Sequence, residues 1–317
     1  MSVPAPPGKT IITVDGLRKT YGPVTAVDGV SFTVGEGEIF GIIGPNGAGK
    51  TTTVECLSGL RVPDSGAIRV LGLDPQADRA ALRQCVGVQL QEGSLPPKIK
   101  VGEILELFAS FYAHPADPGE LMDALGLAGK RGSYFRRLSG GLKQRLSIAL
   151  ALVGGPRIAI LDELTTGLDP QARQDTWQLI ERVRDRGVSV VLVTHFMDEA
   201  EELCDRVMLI SGGKVAALDT PAGLAGHAGG GTHMRFVPTG PFAGQVLAAL
   251  PEVTALERQG ERITVSGNGD LVSAVMRALM AAGVEARDVQ VESPSLDDAY
   301  LRLTRPAGHD PRGALRP

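Results

Sequence analysis

Short apolar runs rich in β-branched residues recur along the first two thirds of the chain. Most are continuously apolar rather than alternating with polar residues, which is typical of parallel strands covered by helices on both faces. The pattern therefore predicts an α/β fold. Such runs occupy residues 11–14, 38–43, 67–71, 86–90, 158–161, 188–193, 207–210 and 215–218.

Between about residues 91 and 153 the hydrophobic spacing changes to that of helices. Segments 101–113 and 119–127 have this spacing, and the stretch 114–118 separates them. Because apolar strands occur before and after this region, we expect a helical insertion within one α/β domain.

The last third of the chain begins with a glycine-rich stretch, GLAGHAGGGT at residues 223–232, which predicts a linker. Beyond it, strand and helix patterns follow in the order β-α-β-β-α-β, that of a small ferredoxin-like α+β domain. We therefore predict a large domain over residues 10–222, an accessory domain over 233–304, a flexible tail at 1–9 and a disordered tail at 305–317. The predicted strands are 234–237, 253–257, 262–266 and 288–292, and the helices 242–250, 271–282 and 296–303.

Composition limits the classes of function. Of the 317 residues, 43% are hydrophobic and 21% charged, which is ordinary for a globular protein. The formal net charge of -4 provides no broad basic field, so we expect no nucleic-acid partner. Three scattered cysteines predict reduced thiols in the cytosol. The sequence has neither a secretory signal pattern nor an apolar stretch of roughly 20 residues, so a role at a membrane would need another chain to cross it.

A glycine-rich loop directly follows the apolar strand at residues 38–43 and leads into helical spacing at 54–60. It matches the phosphate-binding loop G-x-x-x-x-G-K-[ST] at every fixed position. Its glycines let backbone N–H groups surround a β-phosphate, and the helix N-terminus adds its dipole. Lys50 is expected to pair with the β- and γ-phosphates, and the Thr51 hydroxyl to bind Mg²⁺. The expected nucleotide-binding residues are Gly44, Pro45, Asn46, Gly47, Ala48, Gly49, Lys50, Thr51 and Thr52.

Two carboxylates, Asp162 and Glu163, end the apolar strand at residues 158–161. Ligands of α/β folds bind at the carboxyl ends of parallel strands, so both acids can address one nucleotide there. Asp162 is the expected Mg²⁺ partner through water, and Glu163 the expected base that polarises the attacking water. Two solvated acids at a strand end are the alternative, and the phosphate loop favours the functional interpretation.

Leu138-Ser139-Gly140-Gly141 lies between these two motifs and resembles the signature of ATP-binding cassette (ABC) proteins. In that family the signature begins a helix that faces the γ-phosphate of ATP held by the other subunit. Ser139 suits an N-cap, and Gly140 and Gly141 expose backbone donors that a phosphate can approach closely. Leu142 stands where the family usually has Gln, so a polar contact from that side chain is absent.

Four further residues resemble functional positions of the family. Tyr21 resembles the aromatic residue that stacks on adenine, the alternative being a Tyr beside a hairpin turn. Gln91 resembles the glutamine that contacts Mg²⁺ and water, with Gln89 as its rival two residues earlier. Asp169 belongs to a loop that resembles the family's subunit-crossing loop, in which Leu164 replaces the usual Pro. His195, after an apolar strand, resembles the switch histidine that contacts the γ-phosphate, although a lone His there is more often structural.

The resemblance covers residues 11 to about 220 and implies a P-loop NTPase core with an antiparallel β subdomain and a helical insertion. It implies ATP and Mg²⁺ as cofactors, and a head-to-tail homodimer that traps two ATP molecules and drives separate membrane permease subunits. Residues 293–300, SPSLDDAY, resemble the terminal segment of drug-exporter ATPases, although a capped helix without functional meaning is the alternative. We therefore expect an exporter ATPase in the cytoplasm, peripheral on the inner face of the membrane.

The permease contact is expected within residues 92–101, where this family docks on its membrane subunits. Leu95, Pro96, Pro97 and Ile99 are candidates for the docking surface, and burial in the core is their alternative. Three other functions are alternatives: a soluble ABC ATPase of translation or DNA repair, an importer ATPase with a regulatory C-terminal domain, and a non-catalytic phosphate-loop scaffold, which intact Glu163 and His195 disfavour. The sequence contains neither a second phosphate loop nor a heptad array, and this disfavours the soluble class.

Overall fold

The computed structural model describes residues 6, 8–89, 95–227, 231–240, 244–292 and 294–304. The chain divides into two compact units, Met1–Pro221 and Ala222–Pro317. Within the described ranges, none of the helices combines the length and the hydrophobicity that crossing a bilayer requires.

The first unit contains a six-stranded sheet and a three-stranded sheet, with helices in the connections between strands. Its strands are β1 Thr10–Tyr21, β2 Val24–Gly35, β3 Ile39–Ile43, β4 Ser65–Val70, β5 Val86–Gln89, β6 Ile158–Asp162, β7 Ser189–Thr194, β8 Arg206–Ser211 and β9 Lys214–Asp219. Its helices are α1 Lys50–Leu57, α2 Arg79–Cys85, α3 Val101–Ala109, α4 Pro118–Ala124, α5 Gly140–Leu152, α6 Pro170–Asp185 and α7 Met197–Leu203.

The larger sheet has the order β5-β6-β7-β3-β8-β9. All neighbouring pairs are parallel except β8 and β9. Every residue of β3, β6 and β7 is buried, because both faces of these central strands are covered. The apolar runs at 38–43, 158–161 and 188–193 thus form the middle of the parallel sheet, as predicted, whereas the runs at 11–14, 67–71 and 215–218 lie in antiparallel pairings.

The smaller sheet is antiparallel with the order β2-β1-β4, and it corresponds to the antiparallel β subdomain implied by the family resemblance. Strand β2 is absent from the runs predicted by hydrophobic pattern. Its sequence, VTAVDGVSFTVG, alternates buried and more exposed positions and contains an aspartate and a glycine, so it lacks a continuous apolar run. Pairing along most of β1 stabilises it as a strand.

A buried ion pair joins the two sheets of the first unit. The Arg206 guanidinium, at the start of β8, donates from Nε to Glu38 Oε1 at 2.8 Å, and both side chains are almost fully buried. Arg206 also donates from Nη2 to the carbonyl of Thr33 in β2, and Glu38 Oε2 accepts from the backbone N–H of Gly35 at 2.6 Å. Burial raises the pKa of Glu38, and the guanidinium opposes that shift.

Replacing Arg206 by Met should lower the free energy of unfolding by about 3–5 kcal/mol, because the Glu38 carboxylate is left buried without its partner. Trp177, the single tryptophan of the chain, lies in the first unit and reports its urea unfolding by fluorescence. The matched control is Arg157→Met, which breaks an exposed pair with Glu36 and should cost less than about 1 kcal/mol. Equal losses in the two variants would contradict the buried-pair assignment.

The described part of the predicted helical insertion contains three α-helices, α3, α4 and α5, and its first predicted residues, 91–94, lie outside the described ranges. Helix α3 ends at Ala109, earlier than the predicted 113. Helix α4 begins with Pro118, and its N-cap Asp117 accepts from the Glu120 N–H at 2.8 Å. The cap and the proline together explain why the helix begins at this point.

The second unit has the predicted order of strands and helices. Its sheet order is β11-β12-β10-β13 with antiparallel pairing throughout, which is the arrangement of a ferredoxin-like domain. Its core includes Met234, Phe236, Ile263, Val265 and Leu271. Together with helix α8 Pro221–His227 at the boundary, the remaining elements are β10 Thr232–Pro238, α9 Gln245–Ala248, β11 Val253–Gln259, β12 Arg262–Gly267, α10 Leu271–Ala281, β13 Ala286–Glu292 and α11 Leu296–Thr304.

The structure has regular secondary structure at both ends of the predicted linker, residues 223–232. A helix, Pro221–His227, occupies its first half, and β10 begins at Thr232. Leu224 is 1% exposed, so burial of one leucine accompanies helix formation in a sequence rich in glycine. Residues 228–230, the tail at 305–317 and most of the tail at 1–9 lie outside the described ranges.

Candidate functional site

The phosphate-loop residues form a turn between β3 and α1. Gly47 and Gly49 have positive φ angles of 78° and 106°, and a Cβ on Gly49 would lie 2.3 Å from the Ala26 carbonyl oxygen. Only glycine can occupy position 49, because both the backbone angle and the lack of space exclude a side chain. Gly49 is also the N-cap of α1, so the loop ends where the helix begins at Lys50.

Lys50 lies inside this loop rather than on its surface. Its Nζ donates to the carbonyls of Gly44 at 2.8 Å and Pro45 at 3.1 Å. Burial lowers the pKa of Lys50, and the charges of Glu163 and Asp162 act in the opposite direction. The ammonium group is thus held at the centre of the loop with two carboxylates nearby.

Asp162 ends β6 and lies next to the phosphate loop. The Thr51 hydroxyl donates to Asp162 Oδ2 at 3.3 Å. The carboxylate is completely buried, and its Oδ1 has no hydrogen-bond partner in the described part of the chain. Burial, followed by the charge of Glu163, raises the pKa of Asp162 to about 6. A buried carboxylate with an unsatisfied oxygen beside a hydroxyl suits a hard cation, so these residues fit Mg²⁺.

Glu163 and His195 meet where β6 and β7 end. Neighbouring parallel strands bring their carboxyl ends to one edge of the sheet, and His195 Nδ1 lies 3.3 Å from Glu163 Oε1. Glu163 has a φ of 50°, which is uncommon for a residue with a side chain, and its N–H donates to the Val193 carbonyl at 2.8 Å. This backbone strain is held by the sheet at a position that directs the carboxylate into the phosphate-loop groove.

Tyr21 ends β1 and is 40% exposed. Two cations lie over its ring: the Arg61 guanidinium at 5.3 Å and the Lys19 ammonium at 5.7 Å from the ring centroid. Arg61 is itself held by Glu55 through a 2.8 Å ion pair. The ring is therefore exposed enough for a ligand while its surroundings limit its movement.

The signature residues and Asp169 line a second groove. Ser139 is the N-cap of α5 and its Oγ accepts from the Leu142 N–H at 3.4 Å. Asp169 is the N-cap of α6 and accepts from the Ala172 N–H at 3.0 Å. Both helix N-termini thus open onto a cavity of about 460 Å³ that Gly140 and Gly141 also line. Such a groove can bind an anion through its amides and helix dipoles.

This second groove is separate from the groove at the phosphate loop. The phosphate-loop groove has a volume of about 440 Å³ and is lined by residues of the loop together with Ala26 and Glu163. Among the described residues, none lines both grooves.

Gln91 lies outside the described residues, so its role stays a prediction. Its rival, Gln89, ends β5 and accepts through Oε1 from the backbone N–H of Asp162 at 3.1 Å. That contact holds the end of β6 in place where the strand carries the Asp162 carboxylate.

Sequence reasoning missed the side chains that hold the His195 segment in place. Arg173, in α6, donates from Nη1 to Asp198 Oδ2 at 2.9 Å, and its Cζ lies 4.5 Å from the centroid of the Phe196 ring. Trp177 donates from Nε1 to Glu199 Oε1 at 3.2 Å. A single sequence gives no sign that a helical arginine such as Arg173 is functional, because its partners are distant in sequence and come together only when the chain folds.

Comparison with known proteins identifies the family of the chain. The family model for the ABC transporter matches residues 27–166. The daunorubicin resistance ATP-binding protein DrrA3 of Streptomyces coeruleorubidus is 36% identical, over 93% of this chain and 96% of that protein. The Nod factor export ATP-binding protein I of Ralstonia nicotianae is 37% identical, over 93% of this chain and 94% of that protein.

A solved structure of a dimeric bacterial ABC transporter cassette, MJ0796, is 26% identical with a TM-score of 0.58, and the match covers 66% of this chain and 98% of that cassette. The relatives extend over nearly the whole length of the chain, and the cassette structure matches about two thirds of it. The chain therefore belongs to the ABC transporter family, as an ATP-binding and ATP-hydrolysing subunit that couples energy to a transporter.

Proposed function

We propose that two copies of this chain close head to tail on two Mg²⁺–ATP molecules and drive export through separate membrane permease subunits. The observation that carries the dimer is the separation of the two grooves, since phosphate loop and signature are lined by different residues. A second copy can bring its signature groove against the first copy's phosphate loop. The similar MJ0796 cassette is itself dimeric.

Within each composite site, the phosphate loop holds the β- and γ-phosphates through Lys50 and its backbone amides. Tyr21 stacks on the adenine, which can contribute about 1–3 kcal/mol by analogy with base–aromatic contacts. From the second subunit, Ser139 and the amides of Gly140 and Gly141 approach the γ-phosphate.

Thr51, Asp162 and Gln91 are the proposed residues around Mg²⁺, which when bound neutralises charge on the phosphates. Glu163 accepts a proton from the attacking water as the general base. His195 lies beside Glu163 and contacts the γ-phosphate, so the water and phosphate are oriented by one pair of neighbouring side chains.

The proposed direction of transport is export of a drug-like or lipid-like small molecule. It is supported by the names of similar proteins, which include a daunorubicin resistance ATP-binding protein and a Nod factor export ATP-binding protein. The chain would act in the cytoplasm, on the inner face of the membrane, and the second unit would be an accessory domain over residues 233–304.

An apolar groove on the first unit is the proposed docking site for the permease. It has a volume of about 590 Å³ and is lined in part by Leu60, Leu82 and Phe111. Leu60 and Phe111 are 54% and 62% exposed, so the groove presents large apolar side chains to solvent. Of the docking candidates from the sequence, Pro96 and Pro97 are exposed, whereas Leu95 and Ile99 are half-buried.

Phe111→Asp should weaken the permease interaction by about 2 kcal/mol or more, because large aromatic side chains often dominate an interface. The Kd for the membrane subunits, measured by titrated co-purification with the tagged chain, should rise about thirtyfold, while ATP hydrolysis by the isolated chain stays normal. Met280→Asp is the matched control, since Met280 is 76% exposed and lies in the second unit. Unchanged co-purification of Phe111→Asp would contradict docking at this groove.

The direction of transport is tested in proteoliposomes that contain the chain and its permease. With the ATPase on the outside, added ATP should cause an exported dye or lipid analogue to accumulate inside. Accumulation that requires hydrolysable ATP supports export. ATP-driven loss of substrate from the lumen would instead favour an importer.

A further inference from the structure

We propose that Arg173 is a positioning residue for His195, which it holds in place by clamping the Phe196 ring and Asp198 against helix α6. This inference rests on the proposed role of His195 at the γ-phosphate, and Arg173 would act through the Phe196 segment rather than on the nucleotide.

The clamp begins at the N-terminus of α6. Arg173 lies one turn into the helix, and its N–H donates to the carbonyl of the N-cap residue Asp169 at 3.0 Å. Its guanidinium lies 4.5 Å from the centroid of the Phe196 ring, and that ring lies 4.1 Å from the His195 ring. A continuous series of contacts therefore connects Asp169 to His195.

Two interactions of Arg173 differ in strength. The Arg173 side chain is 25% exposed and Asp198 is 55% exposed, so solvent screens the 2.9 Å ion pair between them and it contributes little. The guanidinium over the half-buried Phe196 ring is the stronger contact, because a planar cation gains from a partly desolvated aromatic face. This cation–π contact is expected to fix the position of Phe196.

A second contact fastens the same segment one turn further along α6. Trp177 donates to Glu199, whose side chain is fully buried on α7. The Phe196 N–H also donates to Thr194 Oγ1 at 3.0 Å. The backbone on either side of His195 is therefore held in place. Arg173 in turn fixes the position of the Phe196 ring, which packs directly against the imidazole.

Holding His195 matters because its Nδ1 lies only 3.3 Å from Glu163 Oε1. Movement of the Phe196 ring would carry the imidazole away from Glu163 and from the expected γ-phosphate position. A displacement of about 1 Å can cost about a hundredfold in rate. Because α6 begins after Asp169, which lines the signature groove, contact with a second subunit there would reach His195 through a single helical turn.

Arg173→Ala should lower kcat for ATP hydrolysis about ten- to hundredfold with KM for ATP unchanged within about twofold. Phe196→Leu, which keeps an apolar side chain but removes the aromatic face, should produce the same loss. Arg173→Lys keeps the ion pair without a planar guanidinium and should recover little activity, whereas Asp198→Asn should remain near normal. The matched control is Arg182→Ala on the same helix, an exposed arginine for which the described residues offer no ion pair.

The decisive measurement is a double-mutant cycle between Arg173 and His195, followed by single-turnover hydrolysis of radiolabelled ATP. In a His195→Ala background, Arg173→Ala should have no further effect, because it acts through the imidazole. An equal loss in both backgrounds, or no loss in either, would overturn the positioning role. Normal hydrolysis by His195→Ala alone would instead refute the proposed role of His195 itself. Trp177 fluorescence identifies any unfolded variant, and Phe196→Leu then replaces Arg173→Ala in the cycle.

Discussion

Replacing Glu163 by Gln should lower the rate of ATP hydrolysis by about 10²–10⁴-fold while ATP affinity is retained, because a general base typically contributes that much to the rate. The substitution preserves the shape of the side chain beside His195. The phosphate contacts of Lys50 and the proposed Mg²⁺ contacts of Thr51 and Asp162 are untouched, so KM or Kd for ATP should change little. Single-turnover hydrolysis and equilibrium binding of a fluorescent ATP analogue measure the two quantities separately.

The control for this variant is Glu202→Gln, which removes an exposed carboxylate from α7 and should hydrolyse ATP at the normal rate. Near-normal hydrolysis by Glu163→Gln would show that another group accepts the proton. Loss of ATP binding together with hydrolysis would mean that the residue binds nucleotide rather than acting as the base.

The second large effect is recovery of activity in mixed dimers. Lys50→Ala should abolish hydrolysis, because the ammonium group at the centre of the phosphate loop is lost. Ser139→Arg should do the same, because a long side chain fills the groove opposite the γ-phosphate. Mixing the two inactive subunits should restore one working site per mixed dimer, built from an intact phosphate loop of one copy and an intact signature of the other.

The mixing experiment needs subunits with two different tags, so that mixed dimers are isolated before hydrolysis is measured. A double variant with both substitutions in one chain, paired with wild type, is the control and should keep no intact composite site. Absence of activity in confirmed mixed dimers of the single variants would contradict the head-to-tail arrangement.

Much of this site could be predicted because its residues stand where strands end. The phosphate loop follows β3, the carboxylates follow β6 and His195 follows β7, and parallel strands bring those ends to one edge. The hydrophobic pattern could not predict the positive φ of Glu163 or the existence of strand β2. Both depend on pairing with distant segments, which a local pattern does not contain.

Contacts between side chains were the least predictable feature. Arg173 and Phe196 are 23 positions apart, and neither has an unusual local sequence. Residues 223–227 of the helix Pro221–His227 were predicted as linker because glycine and alanine dominate them, yet Leu224 is buried. In both cases tertiary packing, rather than local propensity, determines the structure.

The central claim is that ATP closes two copies of this chain around two nucleotides, and light scattering of Glu163→Gln tests it most directly. With Mg²⁺ and ATP, the purified variant should change from monomer to dimer and retain one ATP per subunit, because hydrolysis cannot reopen it. Loss of one carboxylate near the γ-phosphates also removes repulsion across the interface, which favours closure. A variant that stays monomeric while saturated with ATP would contradict the closed-dimer mechanism.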